Sequence, residues 1–154
     1  MKTRARRSVL AAAALCVAVV PLAAGQLPAS AAQTSAHSQA ALTFVDINGA
    51  TVTCTIFNDS THNTDNPNQP YATVGGGESG ASNSCFDLVL MTLTIRYKDK
   101  NGTVRTSSFS SFATGAARVE GAYSAITTSV KAEYFDCDSS RSATCQITAS
   151  AAPK

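Results

Sequence analysis

The chain of 154 residues holds only two histidines, His37 and His62, and these limit the acid–base chemistry open to it near neutral pH. A hydroxyl nucleophile needs a base within hydrogen-bond reach and an acid to orient that base. Ser79 lies among glycines in Gly77-Glu78-Ser79-Gly80, but the run lacks the Gly-x-Ser-x-Gly spacing of a nucleophile elbow. His62 with a nearby acid or with Ser79 is the one hydrolytic arrangement on offer, and a flexible glycine loop explains the same residues more simply. Glycoside hydrolysis would need two carboxylates facing one cleft, and nothing in the sequence pairs the scattered acids. Asp136 and Asp138 bracket Cys137. With Asp59, Asn63 and Asp65 they are the best oxygen ligands for calcium, yet the spacing lacks the glycine and bidentate glutamate of a helix–loop–helix site. No metal site is expected. No phosphate loop, dinucleotide fingerprint or haem motif occurs either, so no cofactor is implied.

The cysteines carry a firmer message. Cys16 lies in an N-terminal apolar run, leaving Cys54, Cys85, Cys137 and Cys145. Four thiolates on zinc would want paired Cys-x-x-Cys spacing, which is absent. An even number in an exported chain reads as two disulfides, and the sequence-local pairing Cys54–Cys85 with Cys137–Cys145 closes the shorter loops.

Export is expected from the first 31 residues. Lys2, Arg4, Arg6 and Arg7 precede an apolar run over 9–20, then Pro21, Gly25 and Pro28, then Ala29-Ser30-Ala31 as a small-x-small cleavage signal. The apolar run is shorter than the ~20 residues that span a bilayer comfortably, so cleavage after Ala31 is favoured over a membrane anchor. Arg6-Arg7 resembles a twin-arginine signal with Ala5 at the usual hydroxyl position; the general secretory route is expected ahead of it. Four of the 12 basic residues leave with this segment, so eight remain against 10 acids, a balance of −2. No basic stripe survives for nucleic acid, and no membrane insertion is expected after cleavage.

The elements that must position these residues read as strands. Residues 32–40 are small and polar, a flexible leader. Segments 42–47 and 51–57 flank Asn48-Gly49, which predicts a two-residue type I′ hairpin. The region 58–84 is rich in Asn, Asp, Pro and Gly and reads as loop around a brief strand at 71–74. Residues 86–97 alternate clearly, Asn101-Gly102 turns them into 103–109, and 110–126 is ambiguous between a short helix and a crossover. Segments 127–136 and 143–149 form a last hairpin, and 150–154 a frayed tail. Six or seven short strands predict an all-β, antiparallel two-sheet sandwich over 41–149, with an immunoglobulin-like arrangement as the leading form even without tryptophan.

The sequence thus predicts a secreted interaction module, a stapled scaffold presenting loops to an extracellular protein or glycan, with hydrolase inhibition as one concrete version. A passive cell-envelope or matrix component is the first alternative and a small secreted hydrolase the second. The expected contact surface is the 58–84 region, with Asp59, His62, Asn63, Asp65, Tyr71 and Glu78 as its binding residues.

Overall fold

One turn recipe, Asp-x-Asn-Gly, is spelled twice, at 46–49 and 99–102. In the computed structural model, which describes residues 33–80, 85–86 and 89–154, both copies close hairpins in the same way. Asp46 Oδ1 accepts the backbone N–H groups of Asn48 (2.9 Å) and Ala50 (2.8 Å), and Asp99 Oδ1 accepts those of Asn101 (2.9 Å) and Thr103 (3.0 Å). Gly49 and Gly102 then adopt φ of 85° and 77° and donate back to the aspartate carbonyls. This is a type I turn followed by a left-handed glycine, not the type I′ turn expected at Asn48-Gly49. The aspartate carboxylate captures two amides and so lengthens the loop by one residue.

Among the described residues the chain forms eight strands: β1 (Thr34–Val45), β2 (Thr51–Asn63), β3 (Tyr71–Gly80), β4 (Val89–Lys98), β5 (Val104–Phe112), β6 (Thr114–Glu120), β7 (Ser124–Tyr134) and β8 (Gln146–Ala151). They pair antiparallel into two four-stranded sheets, β1-β2-β3-β6 and β5-β4-β7-β8. With β1 set aside, β2-β3-β6 facing β5-β4-β7-β8 follows the A-B-E and C′-C-F-G order of an immunoglobulin-like sandwich. β1 is an added edge strand on β2, and it packs beside β8 of the other sheet. The expected secretion signal over 1–31 lies outside the described residues.

Both terminal expectations within the described residues are corrected. Residues 34–40 are not a leader: they form the first half of β1, in register with β2 from Thr34 opposite His62 to Val45 opposite Thr51. Small side chains suit this strand because the backbone ladder holds it and Ala36 and Ala40 need little room inside. The tail is not frayed at 150–151 either, since β8 runs to Ala151, paired with Thr128.

The expected 58–84 loop is corrected over 58–80, and 81–84 lie outside the described residues. β2 continues to Asn63 and β3 contains the glycine run 75–77, so only 64–70 connects them. Two of the glycines make room for large neighbours, one in the facing sheet and one in the adjacent strand of the same sheet. A methyl group on Gly76 would lie 2.8 Å from Cγ1 of Val130, a fully buried residue of the facing sheet, and one on Gly77 would overlap the ring of Phe57. Gly76→Ala is therefore expected to cost about 1–3 kcal/mol in urea denaturation. Gly75→Ala, whose added carbon meets nothing nearer than 3.7 Å, should cost clearly less; equal losses would contradict the packing explanation.

The core combines the apolar inner faces of β4 and β7 with Val52, Cys54 and Ile56 of β2. Farther along β2 the inner face turns polar. Asn58, fully buried, donates to the carbonyls of Thr128 and Ala149 (3.2 Å each) and accepts from Thr128 Oγ1 (3.1 Å), joining one sheet to the other.

Candidate functional site

Strand polarity gathers the connections at two ends. Turn 46–50, Cys85 and Phe86 between β3 and β4, the β5–β6 corner at Ala113 and loop 135–145 all lie at one end; loop 64–70, turn 99–103 and connection 121–123 lie at the other. Both disulfides fall at the first end. Cys54 near the start of β2 bonds Cys85, and Cys137 bonds Cys145 across the β7–β8 loop, as the sequence-local pairing predicted. Further ties fasten that loop to the β1–β2 turn. Ile47 N–H donates to the Asp136 carbonyl (2.8 Å), Asp138 N–H to the Val45 carbonyl (2.8 Å) and Val45 N–H to Ser142 Oγ (2.9 Å).

This stapled end also carries apolar surface. Six large hydrophobic side chains among the described residues are exposed, and four belong to it: Ile47 (67 %), Phe86 (40 %), Phe112 (70 %) and Phe135 (54 %). Isolated exposed apolar residues are ordinary, but three of these, Ile47, Phe86 and Phe135, sit on tethered connections at one end of the sandwich, with Phe112 at the last position of β5.

Beneath it lie three acidic groups. Glu78 on the inner face of β3 is 7 % exposed, Tyr134 closes β7, and Asp136 follows two residues later, also buried. The Tyr134 ring is held by Phe44, with centroids 5.0 Å apart. Burial drives the Glu78 carboxyl up, the neighbouring Tyr134 hydroxyl pulls it down, and the Asp136 charge raises it again, leaving its pKa at about 7. The hydroxyl is close enough to act in this way without reaching ordinary hydrogen-bond geometry, and it remains unpaired.

The six residues expected to bind together are not brought together. Glu78 belongs to the stapled end but points inward. His62 also points inward and donates through Nε2 to the Ala122 carbonyl (2.9 Å) near the opposite end. Asp59 lies on the outer face of the first sheet, where His37 Nδ1 approaches its Oδ1 at 2.6 Å; a carboxylate only accepts, so the imidazole proton sits on Nδ1. Asn63 and Asp65 are taken up by a turn, with Asn63 Nδ2 donating to Asp65 Oδ2 (2.8 Å) and Asp65 N–H to Asn63 Oδ1 (2.9 Å). Tyr71 lines a shallow cleft of about 490 Å³ with them, but its ring is covered by the Arg118 guanidinium 3.5 Å above it.

No family model, curated protein or solved structure matches this chain.

Its chemistry is therefore read from its own residues. His62 and Ser79 share no site: Ser79 pairs with Thr55 on the outer face, seven register positions from His62 and about 23 Å along the strand. The calcium candidates are split in the same way, Asp59, Asn63 and Asp65 lying away from Asp136 and Asp138. Hydrogen bonds from the Ser140 hydroxyl and backbone, with Arg141 adding its charge, hold Asp138 below the usual carboxylate range. Among the described residues no group of three or more His, Cys, Asp or Glu side chains is placed to hold a metal ion. Sequence reading missed the stapled end because its exposed side chains, Ile47, Phe86, Phe112 and Phe135, are far apart in the chain. The one available signal was that both expected disulfides flank turns leading to the same strand ends.

Proposed function

We propose that this chain is an exported binding module that takes a protein partner on its stapled end. The supporting observation is the exposure at one end of Ile47, Phe86 and Phe135, on connections tied by two disulfides and by the 45–47/136–142 hydrogen bonds, with Phe112 exposed at the last position of β5. Tethered loops lose little conformational entropy on binding, so apolar burial there converts efficiently into affinity. Exposed Phe and Ile side chains favour a protein surface over a glycan, which would call for polar ladders around an open aromatic platform. Two disulfides fit an oxidising compartment. Export through the 1–31 signal accords with cleavage after Ala31, which leaves β1, beginning at Thr34, intact.

The test is capture on the immobilised, oxidised protein, compared with an Ile47→Ser/Phe135→Ser variant. Both side chains are mostly exposed, so the unfolding midpoint should be nearly unchanged while the captured partner is lost, by about tenfold or more in affinity. Undiminished capture by the variant would overturn the assignment. So would a concentration-dependent dimer of the wild type that the same substitutions dissolve, since the end would then belong to a second copy.

A further inference from the structure

Both carboxyl oxygens of Glu78, the Tyr134 hydroxyl and Asp136 Oδ1 are buried without a protein hydrogen-bond partner. Buried polar groups are normally paired, so four orphaned oxygens on three facing groups call for a physical explanation. No ion pair among the described residues includes any of the three. Nor do the strands flanking Glu78 bring charge: its partner on β2 is Ile56, and β6 begins with Thr114 opposite Gly77.

Counting donors shows what the cluster lacks. With Glu78 ionised, two carboxylates share one O–H, that of Tyr134. With Glu78 protonated there are two O–H donors and one carboxylate, enough for small side-chain rotations to link β3 through Tyr134 to Asp136. We propose that the Glu78–Tyr134–Asp136 cluster is a proton-operated latch beneath the stapled end: protonated, it fastens β3 to the end of β7 and the loop that follows; ionised, it sets two carboxylates against each other and loosens that end. Its consequence for binding, a firmer grip on acidification, rests on the reading above, whereas the latch itself belongs to the free protein.

The sign of the pH effect follows from the Glu78 carboxyl titrating at about 7 instead of its usual 4.5. A pKa raised by folding contributes stability that is complete below the unfolded value and is lost as pH rises through the folded one. The same burial, with Glu78 beside it, pushes Tyr134 well above the ordinary phenol range, so its hydroxyl stays a donor throughout.

The experiment is urea unfolding of the full oxidised chain from pH 5 to pH 8, with amide exchange read at the ends of β3 and β7 and at the opposite 99–103 turn. The wild-type folding equilibrium should weaken on the order of a hundredfold across that range, with exchange rising at the stapled end. In Glu78→Gln the dependence should disappear. In Tyr134→Phe, which removes both the O–H that carries the link to Asp136 and the group that lowers the Glu78 pKa, the folding equilibrium should keep a pH dependence moved to higher pH, whereas exchange at the stapled end should lose its own. A flat wild-type profile, or a Glu78→Gln variant with the wild-type slope, would overturn the latch. Recovery of wild-type stability at pH 8 by millimolar calcium, absent in Glu78→Gln, would overturn it in favour of a cation site. A titrating latch in a protein with no partner at this end refutes the binding reading alone, and a bound partner with a flat profile refutes the latch alone.

Discussion

The Cys54→Ala/Cys85→Ala variant is expected to lose about 3.5 kcal/mol of folding stability and the Cys137→Ala/Cys145→Ala variant about 2.5 kcal/mol, because the bridges span 31 and 8 residues of sequence. The ordering has a second cause. Cys54 and Cys85 are fully buried, and a methyl group on Gly80 would meet the Cys85 sulfur at 2.5 Å, so β3 is packed tightly against this bridge. Its loss leaves a gap between sheet and connection as well as a freer unfolded chain. Domains of this size have about 5–15 kcal/mol in total, so losing both bridges should bring unfolding near 37 °C. Denaturation of the two variants without reductant checks the order, and a larger loss at Cys137–Cys145 would contradict it.

The second large effect is expected at Asn58. Asn58→Leu keeps side-chain volume close but removes three hydrogen bonds between sheets, taking the amide donor from the carbonyls of Thr128 and Ala149, away from water, and leaving the Thr128 hydroxyl only its long bond (3.4 Å) to the Ala151 carbonyl. Orphaned buried groups cost about 1–3 kcal/mol each, and partial relaxation makes a total of about 3 kcal/mol the expected loss in urea denaturation. A variant within 0.5 kcal/mol of wild type, on the order of an ordinary surface substitution, would show that the sheets need no polar link here.

Asn58 also shows why part of the fold was hidden in the sequence. Periodicity finds strands through apolar alternation, and β4 and β7, with Val89, Met91, Leu93, Val130 and Ala132 all buried, were legible for that reason. β2 keeps the same alternation past Ile56, but its inward residues become Asn58, Ser60 and His62, each satisfied by a partner that only the folded chain supplies. Gly76 mimics a loop residue because its reason, the side chain of Val130, lies 54 positions away. β6 escaped because its inner positions, Gly115 and Ala117, are small where the strand passes Ser111 and Leu93. Disulfide pairing was legible from loop length alone. The site was less so: Glu78 was picked out as a loop ligand, and the fold places it as a buried acid on β3. No local pattern could join Ile47 to Phe135; the antiparallel registers of two sheets do that.

The assignment of partner binding to the stapled end is tested most directly by amide exchange on the complex with the captured partner. Protection at the stapled end, over 46–50, 85–86 and 135–145, with 64–70 and 99–103 unchanged, is the predicted result. Protection of 64–70 or of the outer face around His37 and Asp59, with 46–50 and 135–145 exchanging as in the free protein, would contradict it.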